Sequence, residues 1–132
     1  MSAFTINIER IGITSLDKVH SILSECSAYL LSLNYRHWDG YYTRERVADY
    51  IVNRSVYLLS YMGDPVGTIA TTDRRNSSGW RDEIPSLFLS SLAVLPSYQH
   101  KGFGSVLLSI AEEEARAANL TKIRFESVKN FE

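Results

Sequence analysis

Residues 90–115 read SSLAVLPSYQHKGFGSVLLSIAEEEA, and two different periodicities meet inside them. The run SLFLSSLAVLP, from Ser86 to Pro96, carries apolar residues on both alternating faces. A strand covered on both sides reads this way, and the proline ends it. From Phe103 the spacing becomes helical: Phe103, Val106, Leu107, Ile110, Ala111 and Ala115 form one apolar stripe. The helix therefore starts at or near Gly102, and Asn119 suits the left-handed residue that closes it. Glu112, Glu113, Glu114 and Arg116 cluster in its C-terminal half. Between strand and helix stand Gln99, His100, Lys101, Gly102, Phe103 and Gly104.

A turn that feeds a helix has a chemistry of its own. The first N–H groups of the helix lack intrahelical partners, and the helix dipole adds partial positive charge there. Two glycines remove Cβ atoms, so an anion can come close to the backbone. His100 and Lys101 supply further donors. A pyrophosphate matches this arrangement best. The bare pattern, Gln or Arg, two residues, Gly, one residue, Gly or Ala, arises by chance in about one chain of this length in ten. Two other phosphate loops are excluded. The Walker pattern needs Lys-Ser/Thr after its last glycine, where Ser105-Val106 stand, and the dinucleotide fingerprint needs a third small residue where Leu107 stands.

Working outward, FTINIERI alternates Phe4, Ile6 and Ile8 against polar residues, which predicts a first strand. Thr14 or Ser15 can cap a helix carrying Leu16, Val19, Ile22, Leu23, Cys26 and Leu30 on one face. NYRHWDGYY, residues 34–42, breaks it. Thr43 then caps a second helix, with Arg46 at its third position and Val47, Tyr50 and Ile51 inward. Val56–Met62 and Val66–Thr72 read as a hairpin around Gly63-Asp64-Pro65. A polar loop with Arg74, Arg75, Arg81 and Glu83 leads to the central strand, and Lys122–Val128 reads as the last one. The order is β-α-α-β-β-β-α-β: one α/β domain with a mixed sheet, spanning residues 1–132.

Composition narrows the function classes. The 132 residues carry a net charge of −1, which gives no global field toward nucleic acid or an anionic membrane. No apolar run approaches the roughly 20 residues of a membrane span, and the start lacks the pattern of a signal peptide. Cys26, the single cysteine, reads as buried filler in a reducing, cytoplasmic setting. His20 and His37 read as ordinary surface or satisfied residues. No spacing of Cys, His and carboxylates suggests a metal site.

The stretch SSLAVLPSYQHKGFGSVLLSIAEEEA resembles the acetyl-coenzyme A-binding segment of the GNAT superfamily of N-acetyltransferases. The element order is similar to that family from its first strand to its fifth. The resemblance implies acetyl transfer from acetyl-coenzyme A to a primary amine of a small molecule or peptide, by direct attack and without an acyl-enzyme. It implies that backbone at Leu92 and Val94 pairs with the pantetheine arm. It further implies that Gln99, His100, Lys101, Gly102, Phe103, Gly104 and Ser105 hold the pyrophosphate, and that Asn130 contacts the cofactor. NYRHWDGYY falls where the family builds a wall of the acceptor site, with Tyr35, His37, Trp38, Tyr41 and Tyr42 suiting an aromatic or cationic group. Trp38 and one tyrosine are expected to fill the core instead.

The departures from the family pattern set the remaining expectations. The central strand carries Ser90 and Ser91 where some members place a carboxylate, so no catalytic base is assigned. Glu83 or a water ordered by the serines is the candidate. The sequence ends at Glu132, before the family's next helix, its tyrosine and its closing hairpin. A C-terminally truncated domain is the expectation, together with a non-catalytic acyl-coenzyme A-binding module as the alternative function. An uncovered last strand, with Ile123 and Phe125 in need of burial, leads to the expectation of a homodimer.

Overall fold

The computed structural model describes residues 5–73 and 84–126. Phe4, Arg74, Arg75, Arg81, Glu83, Val128 and Asn130 lie outside them, so the expectations placed on these residues are not addressed by the structure. The elements follow the order read from the sequence: β1 (Ile6–Arg10), α1 (Leu16–Ser32), α2 (Arg44–Asn53), β2 (Ser55–Tyr61), β3 (Asp64–Thr72), β4 (Ser86–Val94), α3 (Phe103–Ala117) and β5 (Lys122–Phe125). The strands form one sheet in the order β1-β2-β3-β4-β5. The first three pairings are antiparallel, and β4–β5 is parallel across the α3 crossover.

Each face of the sheet has its own core. Val19, Ile22, Leu23 and Cys26 of α1 and Val47 and Ile51 of α2 pack against Val56, Leu58, Ala70 and Ala93 on one face. Phe103, Leu107, Ala111 and Ala115 of α3 pack against Leu59, Val66, Ile69, Leu87 and Leu89 on the other. β4 is thus covered on both sides, as its apolar run requires. Gly67 lets α3 approach the sheet: a Cβ there would stand 3.1 Å from Leu107 Cδ1 and 3.2 Å from the Ala93 oxygen.

The helix ends obey local chemistry. The Thr43 side chain accepts from the Arg46 N–H at 3.1 Å, the cap expected for α2. Ser15 occupies the cap position of α1 without a side-chain bond. Both α1 and α3 end at a left-handed asparagine, Asn34 (φ 71°) and Asn119 (φ 59°). In each case the next N–H reaches back five residues, Tyr35 to the Leu30 oxygen and Leu120 to the Ala115 oxygen, both at 2.9 Å.

One reading is corrected. The hairpin turns on Met62-Gly63, with φ 54° and 87°, and Asp64 and Pro65 already belong to β3. A two-residue turn with positive φ at both positions matches the strand twist, and a methionine can be forced into it. Pro65 is tolerated because the β2–β3 register shifts beside it, at Leu59/Ser60. Glu114 differs from its exposed neighbours Glu112 and Glu113. It turns toward the sheet and accepts from Tyr57 Oη and Thr71 Oγ1, both at 2.9 Å. Loss of water first, and then that carboxylate, push the Tyr57 hydroxyl up to about 12.

Candidate functional site

The site is built by one extra residue in β4. Thr68 faces Ala93 and Ala70 faces Ser90, so Ile69 alone opposes the two residues Ser91 and Leu92. This is a β-bulge, and Ser91 absorbs it with a φ of 57°. Such a conformation costs a non-glycine residue about 1 kcal/mol. The side-chain alternation slips by one here. Leu87 and Leu89 face α3 before the bulge, and Leu92 and Val94 face it afterwards. Ser90 and Ser91 both point to the α1/α2 face, where Ser90 Oγ accepts from Arg54 Nη1 at 3.1 Å and Ser91 Oγ donates to Tyr42 Oη at 3.0 Å.

The bulge also divides the strand's hydrogen bonding. β5 pairs with β4 from Ser86 to Leu89, and the Glu126 N–H adds a bond to the Leu89 oxygen at 2.8 Å. Beyond it, Leu95 donates to the Val66 oxygen at 2.8 Å, so the backbone groups of Leu92 and Val94 face away from β3. Among the described residues no strand pairs with them on that side. The Val94 oxygen receives Gln99 Nε2 at 3.1 Å and lies 3.4 Å from Cys26 Sγ. Val94 therefore offers its N–H, while Leu92 offers both groups.

The open edge runs directly into the glycine turn. A 3-10 turn, Pro96–Tyr98, follows β4, and then His100 (φ 65°) and Gly102 (φ 87°) take left-handed conformations. The Gln99 N–H donates to the Pro96 oxygen at 3.3 Å, so Gln99 stabilises the turn rather than presenting a free backbone donor. Gly102 caps α3 with no side-chain bond, and the first intrahelical bond is Val106 N–H to the Gly102 oxygen at 3.1 Å. The N–H groups of Phe103, Gly104 and Ser105 are left without helical partners. A Cβ on Gly104 would meet nothing within 4 Å, so the space above the helix end is open. His100, Lys101 and Ser105 are exposed. The Phe103 ring points the other way, into an aromatic cluster with Tyr61 and Tyr98 at centroid distances of 5.2 and 6.3 Å.

On the α1/α2 face the residues of the 34–42 loop form a chain of edge-to-face rings. Tyr35 meets His37, His37 meets Trp38, and Trp38 meets Tyr42 at 5.0 Å. Tyr42 is the tyrosine that fills the core; Trp38 is half-buried and Tyr35 is exposed. Arg46 lies over the Tyr41 ring and Arg54 over the Tyr50 ring, at 4.1 and 4.2 Å. One face of each of these tyrosines is already covered by a cation.

Burial silences two hydroxyl or thiol groups that could otherwise take part in chemistry. The Tyr42 phenol is pushed up to about 12, chiefly by loss of water, with the Ser91 hydrogen bond opposing. The Cys26 thiol is pushed up to about 11 by burial and by Glu25. His20 is held on the outer face of α1 beside Ser24 Oγ at 3.3 Å. Among the described residues no group of three or more His, Cys, Asp or Glu could hold a metal ion. No helix among them is long and apolar enough to cross a membrane.

Sequence reasoning missed Arg54 and Glu126. Their ion pair is largely buried, with side-chain exposures of 16% and 11%, and it joins the end of α2 to the end of β5 beside Ser90. Arg124 and Glu126 alternate with Ile123, which faces α3. That polar period was the available signal, and it pointed at the α1/α2 face only once the sheet order was known.

An open strand edge leading into an uncapped glycine turn and helix is the decisive geometry. The family model for the acetyltransferase (GNAT) family matches residues 16–131. The chain belongs to that family. Solved structures repeat the fold. The PaiA N-acetyltransferase from Thermoplasma acidophilum, in complex with coenzyme A, is 20% identical with a TM-score of 0.74, covering 95% of this chain and 79% of that one. Aminoglycoside N-acetyltransferase AAC(6')-Iy, also with coenzyme A, is 14% identical with a TM-score of 0.71, covering 97% and 80%. The ribosomal-protein-alanine N-acetyltransferase from Brucella melitensis biovar Abortus is 10% identical with a TM-score of 0.68, covering 96% and 82%. Among curated proteins no sequence matches.

Proposed function

We propose that this GNAT chain transfers an acetyl group from acetyl-coenzyme A directly to a primary amine of a small molecule or a peptide. The observation that carries the reading is the outer edge of the second half of β4, which no described strand pairs, running into the uncapped start of α3. Leu92 and the Val94 N–H would bond the pantetheine arm as an added strand does. The N–H groups of Phe103, Gly104 and Ser105 would hold the pyrophosphate, with His100 and Lys101 as side-chain donors above Gly102. Gln99 supports them by fixing the turn, and Asn130 would add a further cofactor contact. Bound there, acetyl-coenzyme A supplies a thioester carbonyl for an amine to attack.

The chain's own groups constrain the chemistry. An amine with a pKa near ~10.4 arrives protonated at neutral pH, so its proton needs a receiver. Tyr42, at about 12, is neutral and already accepts a bond from Ser91, which makes it a poor base. Cys26, at about 11, is a protonated thiol under the sheet and not an acyl-carrying nucleophile. Direct transfer fits both facts. The similar structures include enzymes named for aminoglycosides and for a ribosomal-protein alanine, which supports an amine acceptor of either kind.

One observation favours the binding-only alternative: both serine hydroxyls at the bulge are already bonded to protein groups. Thiol release from acetyl-coenzyme A against a panel of aminoglycosides, polyamines and peptide N-termini separates the readings. Amine-dependent release supports transfer. Tight binding without release for any amine favours an acyl-coenzyme A-binding module, and failure to bind overturns both.

A further inference from the structure

The 34–42 loop and the bulge are joined by a buried hydrogen bond that neither the aromatic wall nor the glycine turn explains. Ser91 is a non-glycine residue held at φ 57° inside a strand, and it is 7% exposed. Its hydroxyl donates to Tyr42 Oη at 3.0 Å, and Tyr42 is also 7% exposed. Ser91 thus occupies a backbone conformation that L-residues avoid, with its side chain anchored to a ring from a different part of the chain. Trp38 and Tyr41 pack edge-on against the same ring, at 5.0 and 4.9 Å, which fixes where the anchor stands.

The neighbouring residue is anchored too, by Arg54 from the end of α2. The two bonds differ in kind. Ser90 lies before the extra residue and keeps a β3 partner, Ala70, whereas Ser91 is the position where the register slips. Holding Ser91 holds the direction in which Leu92 and Val94 present their backbone groups.

We propose that Tyr42 is a positioning residue for acyl-coenzyme A: its hydrogen bond to Ser91 keeps the left-handed bulge that aims Leu92 and Val94 at the pantetheine arm. This rests on the coenzyme A reading above. The loop that carries the aromatic wall and the strand edge that meets the cofactor are then one mechanical unit. Filling or disturbing the wall changes cofactor affinity.

Glycine at position 91 supplies the test, because it adopts a positive φ without help. Coenzyme A binding is measured by calorimetry for the parent, Tyr42→Phe, Ser91→Gly and the double variant. Tyr42→Phe is expected to weaken binding about tenfold, equivalent to ~1.4 kcal/mol. Ser91→Gly, alone or with Tyr42→Phe, is expected to bind within about twofold of the parent. Unchanged affinity in Tyr42→Phe overturns the proposal, and so does a double variant that stays as weak as Tyr42→Phe. Amide exchange of Leu95, whose N–H is held by the Val66 oxygen just beyond the bulge, reads the same device without ligand and independently of function. Faster exchange in Tyr42→Phe, reversed by Ser91→Gly, supports it, and equal exchange in all four proteins overturns it. A parent that does not bind coenzyme A sinks the functional reading, and the exchange measurement then decides the bulge claim alone.

Discussion

The two halves of β4 have nearly the same composition and opposite roles. Ser86–Leu89 is hydrogen-bonded to β3 on one side and β5 on the other, with Leu87, Phe88 and Leu89 no more than 1% exposed. Leu92–Val94 keeps β3 but has no described strand on its other side, and Leu92 and Val94 are only partly buried. One extra residue at Ser91 separates them. A strand gains an open edge here without polar side chains, because backbone polarity, not side-chain polarity, is what the bulge sets free.

The largest expected effect sharpens that contrast in stability. Leu89→Ala removes a fully buried side chain and should cost about 3 kcal/mol in urea unfolding. Leu92→Ala, in the partly exposed half, should cost less than half as much. Equal losses would mean that the two halves are packed alike. The next effect tests the open end of the edge. Gly104→Val adds a side chain where nothing in the protein stands within 4 Å, so the fold should survive with its melting point little changed. Coenzyme A affinity should fall at least about tenfold, or ~1.4 kcal/mol, and calorimetry showing parent-like binding would place the pyrophosphate elsewhere.

Two smaller effects follow. Because the folded state raises the Tyr42 pKa from 10.0 to about 12, that phenol stabilises the fold fully below pH 10 and loses its contribution between pH 10 and 12. Tyr42→Phe should make the alkaline loss of stability over that range shallower, and an unaltered pH profile would show that the ring is not shielded as described. Lys101→Ala should weaken cofactor binding by about 1 kcal/mol or less and flatten its salt dependence, since Lys101 is an exposed charge. An unchanged salt slope would leave Lys101 outside the site.

The legible parts of the molecule were those written locally. The stripe from Phe103 to Ala115, the Thr43 cap, the closing Asn119 and the glycine turn each depend on neighbours in sequence, and each stands where the spacing placed it. Ser91 was not legible as a bulge, because SSLAV reads as continuous strand and the extra residue exists only relative to β3. The Arg54–Glu126 pair, 72 positions apart, and the inward turn of Glu114 depend on sheet order and helix rotation in the same way. Met62-Gly63 was overlooked because the glycine-proline signal lies one residue further on, and methionine gives no sign of the positive φ it adopts.

The central claim is that coenzyme A lies along the second half of β4 and ends at the start of α3. Backbone amide shifts recorded while coenzyme A is titrated into the labelled protein test it most directly. Large changes are expected at Leu92, Val94, Phe103, Gly104 and Ser105, with Leu87–Leu89 unmoved. Saturable binding whose shifts fall on Ser86–Leu89 or on the outer face of α1, leaving Leu92 and Gly104 still, would contradict it.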